Sequence, residues 1–69
     1  MTTEKMEVYS IEEGDTIYLN DELFFVQVIE PASSTESVLW VVDEEGFQRS
    51  IVVKDTEKLP VVIDFLAQV

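Results

Sequence analysis

Apolar residues in this chain come in short β-branched and aromatic bursts that alternate with polar positions, and the pattern favours strands over helices. Residues 16–19 (TIYL) and 23–30 (LFFVQVIE) are two such runs, separated by Asn20-Asp21 and Glu22. Asn and Asp tolerate the left-handed conformation of a tight hairpin turn. A two-residue turn at Asn20-Asp21 sets Leu19 opposite Glu22 and Ile17 opposite Phe24. One face of this hairpin then carries Ile17, Leu19, Phe24, Val26 and Val28. The other carries Thr16, Tyr18, Leu23, Phe25, Gln27 and Ile29.

A second hairpin follows from residues 37–43 and 47–54, which flank Glu44-Glu45-Gly46. A three-residue hairpin loop favours glycine at its last, left-handed position. That register sets Asp43 opposite Phe47, Trp40 opposite Ser50 and Leu39 opposite Ile51. One face holds Leu39, Val41, Phe47, Ile51 and Val53 together with Arg49. The other holds Val38, Trp40, Val42 and Val52 with Gln48 and Ser50. Both hairpins are apolar on both faces. The sheet therefore either closes on itself as a small barrel or offers one face to a partner.

The remaining segments are weaker in pattern. Residues 1–6 read as a flexible tail, and 8–11 as a first strand ending in the turn Glu12-Glu13-Gly14-Asp15. Residues 31–37 (PASSTES) read as a loop. Residues 59–69 fit two periods: Leu59, Val62, Ile63 and Leu66 suit a helix, whereas Val61, Ile63, Phe65, Ala67 and Val69 suit a strand. The run Val61-Val62-Ile63 leans towards strand, and the element is expected as a strand or a short helix.

The short strands, the tight turns, the late Leu59-Pro60 pair and the rhythm EGDTIYLNDELFFVQVIE (residues 13–30) resemble an SH3-like barrel over residues 8–55. The resemblance implies a mostly β, single small domain over residues 7–69, an SH3-like barrel of about five short antiparallel strands. The peptide groove of such domains has no match here, so the resemblance carries over no functional residues.

Composition narrows the chemistry. The chain of 69 residues has neither cysteine nor histidine, so it lacks the commonest general base, the thiolate nucleophile and the commonest metal ligand. A non-enzymatic role is expected, with no cofactor. Fifteen acids face four bases, a formal charge of −11. Such a charge opposes binding to nucleic-acid phosphates and to anionic membranes, and it attracts basic surfaces. The N-terminus lacks the apolar core of a signal peptide and no apolar run reaches 18 residues, so a cytoplasmic protein is expected.

Two acidic clusters are candidates for chemistry. Asp43-Glu44-Glu45 precedes Gly46, and Glu12-Glu13 precedes Gly14 and Asp15. Neither has the alternating acids of a calcium loop. Each reads more plainly as a solvated turn, and no residue is assigned to metal binding or catalysis. Trp40 is the one tryptophan, of a residue type favoured in core and interface alike.

The expected function is that of an acidic protein-interaction module for a basic or mixed protein surface. The expected contacts are Glu12, Glu13, Asp15, Asp43, Glu44 and Glu45 around Tyr18, Phe25 and Trp40. One alternative is a nucleic-acid-mimicking inhibitor of a DNA- or RNA-binding enzyme, of the kind viruses encode. A further alternative is a self-associating structural subunit, such as a homodimer.

Overall fold

The computed structural model describes residues 2–63. Along the chain lie β1 (Thr3–Glu7), a 3-10 turn (Val8–Ser10), β2 (Thr16–Leu19), β3 (Glu22–Pro31), β4 (Glu36–Asp43), β5 (Gln48–Lys54) and β6 (Lys58–Val62). All six strands form one antiparallel sheet in the order β1-β6-β2-β3-β4-β5. No α-helix is present among the described residues.

Both hairpins have the register their turn residues dictate. Leu19 pairs with Glu22 and Ile17 with Phe24, across a turn in which Asn20 and Asp21 take φ of 50° and 65°. Two successive positive φ values match the twist of the flanking strands. In the second hairpin Trp40 pairs with Ser50 and Leu39 with Ile51, and Gly46 closes the loop at φ 91°.

Three features differ from the sequence-based expectation. First, the sheet has β1 and β5 as its edges and no ladder joins them, so it is an open sheet of six strands rather than a closed barrel of about five. Second, residues 3–6 of the expected tail form β1 together with Glu7. They pair along the whole of β6, with Glu7 opposite Lys58. TEKME has no strand signal of its own; its state is set by a partner more than fifty residues away. Within residues 8–11, expected as a strand, Val8–Ser10 instead make the 3-10 turn, which buries Val8, and Ile11 just after it is buried too.

Third, the register slips in β3. Val26 pairs with Val41 but Val28 pairs with Trp40, so Gln27 is the extra residue of a β-bulge. A bulge exchanges the faces of everything beyond it. Val28, expected on the same face as Phe24 and Val26, is 42% exposed, and Ile29 packs against the core in its place. Phe47, expected on the same face as Leu39 and Val41, precedes β5 at the hairpin tip and is 62% exposed.

The core gathers Val8, Ile11, Ile17, Phe24, Val26, Leu39, Val41, Val53, Leu59 and Val61, with Met6, Leu19, Ile29 and Ile51 at its margin. Each fully buried aliphatic side chain contributes about 1.5–3 kcal/mol. The turn at residues 55–57 joins β5 to β6, although three strands intervene in the sheet order. So short a link between strands so far apart requires the sheet to curl, and the curl encloses the core. The Asp55 N–H donates to the Thr35 carbonyl at 2.9 Å, and the Ser37 hydroxyl to Asp55 Oδ1 at 2.6 Å. These bonds tie that turn to the start of β4. Of the C-terminal element, Lys58–Val62 is strand; residues 64–69 lie outside the described residues.

Candidate protein-interaction surface

Each strand that buries one row of side chains presents the alternate row outwards. On β3, β4 and β5 that outer row is unusually apolar. Phe25 lies opposite Val42, Val28 lies opposite Trp40, and Val52 lies opposite Val38. Phe25, Val28 and Val52 are 40%, 42% and 60% exposed, while Trp40, Val38 and Val42 are half-buried beside them. A charged protein of this size gains nothing in solubility from such a stripe.

Trp40 is held in place. Its ring N–H donates to Glu30 Oε1 at 2.5 Å, which leaves the ring itself as the wall of a shallow depression of about 350 Å³. Val28, Glu30 and Gln48 complete the lining. The bulge at Gln27 creates this depression, because without it Val28 would point into the core.

The acidic residues fall into separate groups with different roles. Asp43 is buried, with both carboxylate oxygens engaged. Oδ1 accepts the backbone N–H groups of Glu45 and Phe47, at 3.0 and 2.9 Å, and Oδ2 accepts the Arg49 Nε–H at 3.1 Å. Its pKa is held below the ordinary value, chiefly by the Phe47 N–H, against the opposing effect of burial, with Arg49 and the Glu45 N–H adding to the depression. Asp43 therefore organises the hairpin tip and has no free oxygen face for a partner. Glu44 and Glu45 are exposed at that tip. Glu44 Oε1 approaches the Leu23 N–H at 3.5 Å, which brings the tip beside the first hairpin.

Tyr18 lies at the same end. Its hydroxyl donates to Asp21 Oδ1 at 3.2 Å, and this bond raises the phenol pKa above its usual value, as do slight burial and the nearby Asp21 and Glu44 charges. Glu12, Glu13 and Asp15 are elsewhere, against the middle of β3. Asp15 Oδ2 accepts the Glu12 N–H at 2.8 Å within the turn. Gly14 donates to the Val26 carbonyl and the Asp15 carbonyl accepts from Val26, while Glu13 Oε2 accepts the Ile29 N–H at 3.3 Å. The turn thus covers backbone that β2 is too short to reach.

Of the residues singled out from the sequence, Phe25 and Trp40 share the outer face, Tyr18 and Glu44 share one end of the sheet, and the 12–15 turn and Asp43 serve the fold. Gln48 was already legible on the face of Trp40, but Val28 and Glu30 were not. The one available signal was the adjacent apolar pair Val28-Ile29, which breaks strict alternation. Among the described residues no group of three acids is arranged to hold a metal ion, and no helix is long and apolar enough to cross a membrane. Comparison with protein-family models, with curated proteins and with solved structures finds no match.

Proposed function

We propose that the protein is a non-enzymatic interaction module that binds another protein through the outer face of β3, β4 and β5. The observation that supports this reading is the exposed apolar stripe of Phe25, Val28 and Val52 around the hydrogen-bonded Trp40. Interfaces concentrate their energy in a few aromatic and aliphatic anchors within a polar rim. Here the nearby charges, Glu30 and the hairpin-tip acids Glu44 and Glu45, are negative. A chain at −11 attracts a basic surface over a distance set by ionic strength, so the favoured partner carries cationic residues around an apolar centre. The curl imposed by the turn at residues 55–57 supports reading the fold as an opened SH3-like half-barrel, with the interaction face on its convex side.

Affinity capture from the native host tests the reading, with the wild-type chain and a Phe25→Asp variant of unchanged circular dichroism as paired baits. The wild type is expected to retain one or more proteins that the variant loses. Equal retention by both baits excludes this face as the binding surface. A nucleic-acid enzyme bound equally by both, and released by salt, would assign the acidity to phosphate mimicry instead.

A further inference from the structure

We infer that the depression between Val28, Trp40, Glu30 and Gln48 is a receptor for an arginine side chain of the partner protein. The inference rests on the reading that the outer face binds protein, and it names what that face recognises.

The lining supplies what a guanidinium requires and little else. Trp40 presents an aromatic wall, and its ring is held by the bond from its N–H to Glu30 Oε1. Cations lie favourably over an indole face, and a planar guanidinium stacks there as well. Val28, directly across the strand pair from Trp40, offers apolar surface for the methylene stem. Glu30 brings a carboxylate to the rim of the same depression. One of its oxygens serves the indole; a carboxylate has about four lone-pair sites, so acceptor capacity remains for a second donor. The ion pair among the described residues joins Arg49 to Asp43, and Glu30 makes none with another described residue. The Gln48 amide carbonyl is a further acceptor on the β5 side.

The occupant is chosen by charge. An anionic group would meet Glu30 and the net charge of −11. A purely apolar side chain would leave the Glu30 carboxylate partly desolvated without a partner, which costs free energy. Lysine satisfies the charge but presents a compact ammonium without the planar fork that stacks on a ring and takes a carboxylate through two bonds. The bulge at Gln27 matters here too, since it alone sets Val28 across from Trp40 on the outer surface.

The Trp40 indole N–H reports directly on the site, because its hydrogen-bond acceptor is the group the guanidinium would engage. In ¹⁵N–¹H spectra of the full chain, titration with acetyl-Gly-Arg-Gly-amide is expected to shift the indole resonance saturably. The affinity expected of one side chain on a shallow site is about 1 mM. The isosteric citrulline peptide is expected to shift it at least tenfold less, and the lysine peptide less than the arginine peptide. Glu30→Gln keeps an acceptor for the indole and removes the charge; it is expected to weaken arginine binding at least fivefold, whereas Glu12→Gln leaves it unchanged. Equal shifts with arginine and citrulline, equal affinity in Glu30→Gln, or equal losses in Glu30→Gln and Glu12→Gln would overturn the inference. If the peptide fails while Phe25→Asp still abolishes partner capture, the arginine site is wrong and the interaction face stands. If the peptide binds as expected but capture is unaffected by Phe25→Asp, the depression takes arginine without serving the partner, and both the interaction face and the partner-arginine inference are overturned.

Discussion

Asp43 and Arg49 meet across the tip of the second hairpin, Oδ2 to Nε at 3.1 Å, with Asp43 at 6% exposure and Arg49 at 59%. Asp43 stands on the core face, opposite Phe24, where alternation would place an apolar side chain. Its oxygens take up the backbone N–H groups of Glu45 and Phe47, which the loop would otherwise leave unpaired. An acid that reads in sequence as one of three solvated carboxylates is the internal support of the turn.

The pH dependence of that support has a definite sign. The Asp43 pKa is lowered in the folded state from an ordinary value of 3.8. Its contribution is therefore complete above about 3.8 and is lost as pH falls through the lower folded value. Asp43→Asn is expected to be less stable than wild type in urea denaturation at pH 7, and the gap should narrow as pH drops below that ordinary value. A gap of constant size down to the acid limit would show that the charge of Asp43 does not contribute.

Self-repulsion should be visible in the salt dependence of stability. Acids outnumber bases by fifteen to four, and one ion pair is present among the described residues. Raising NaCl from 10 mM to 1 M shortens the screening length from about 30 to about 3 Å. The thermal midpoint is expected to rise. Relief of about 1 kcal/mol corresponds to about 4–8 °C for a domain of this size. A midpoint that falls with salt would mean that attractive pairs dominate.

Gly46 has φ of 91°, and a Cβ built on it would meet nothing within 4 Å. Gly46→Ala therefore costs backbone strain without a clash, about 1–2 kcal/mol. Denaturant midpoints for this variant check the value; an unchanged midpoint would mean that the loop adopts another turn at no cost.

The bulge separates two substitutions that alternation alone would treat alike. Leu39 is fully buried, and Leu39→Ala is expected to cost about 2–5 kcal/mol. Val28 faces outwards, so Val28→Ala is expected to change stability by about 0.5 kcal/mol or less. Comparable losses in the two variants would place Val28 in the core and remove the bulge.

Much of the fold was legible because its information is local. Asn20-Asp21 and Glu44-Glu45-Gly46 specify their turns through residue chemistry within four or five positions, and each turn then sets the register of the strands it joins. The interaction face was half legible. Phe25 and Trp40 are marked by residue type and by alternation. Gln48 is placed beside Trp40 by the second hairpin, whereas Val28 and Glu30 join them only through the register slip in β3.

The sequence by itself determined a mostly β chain, two hairpins and their registers, a strongly acidic surface and the absence of histidine and cysteine chemistry. Turn preferences, period-2 alternation and composition are properties of neighbouring residues, and they survive without knowledge of the whole. Only the tertiary structure decided that residues 3–7 are a strand, that the sheet stays open with β1 and β5 at its edges, that Gln27 is a bulge and that Asp43 lies inside. Each of these depends on a partner far along the chain or on which side of the curled sheet is covered. A strand edge, a bulge and a buried carboxylate are stabilised by what faces them, and nothing in the adjacent residues records what that will be.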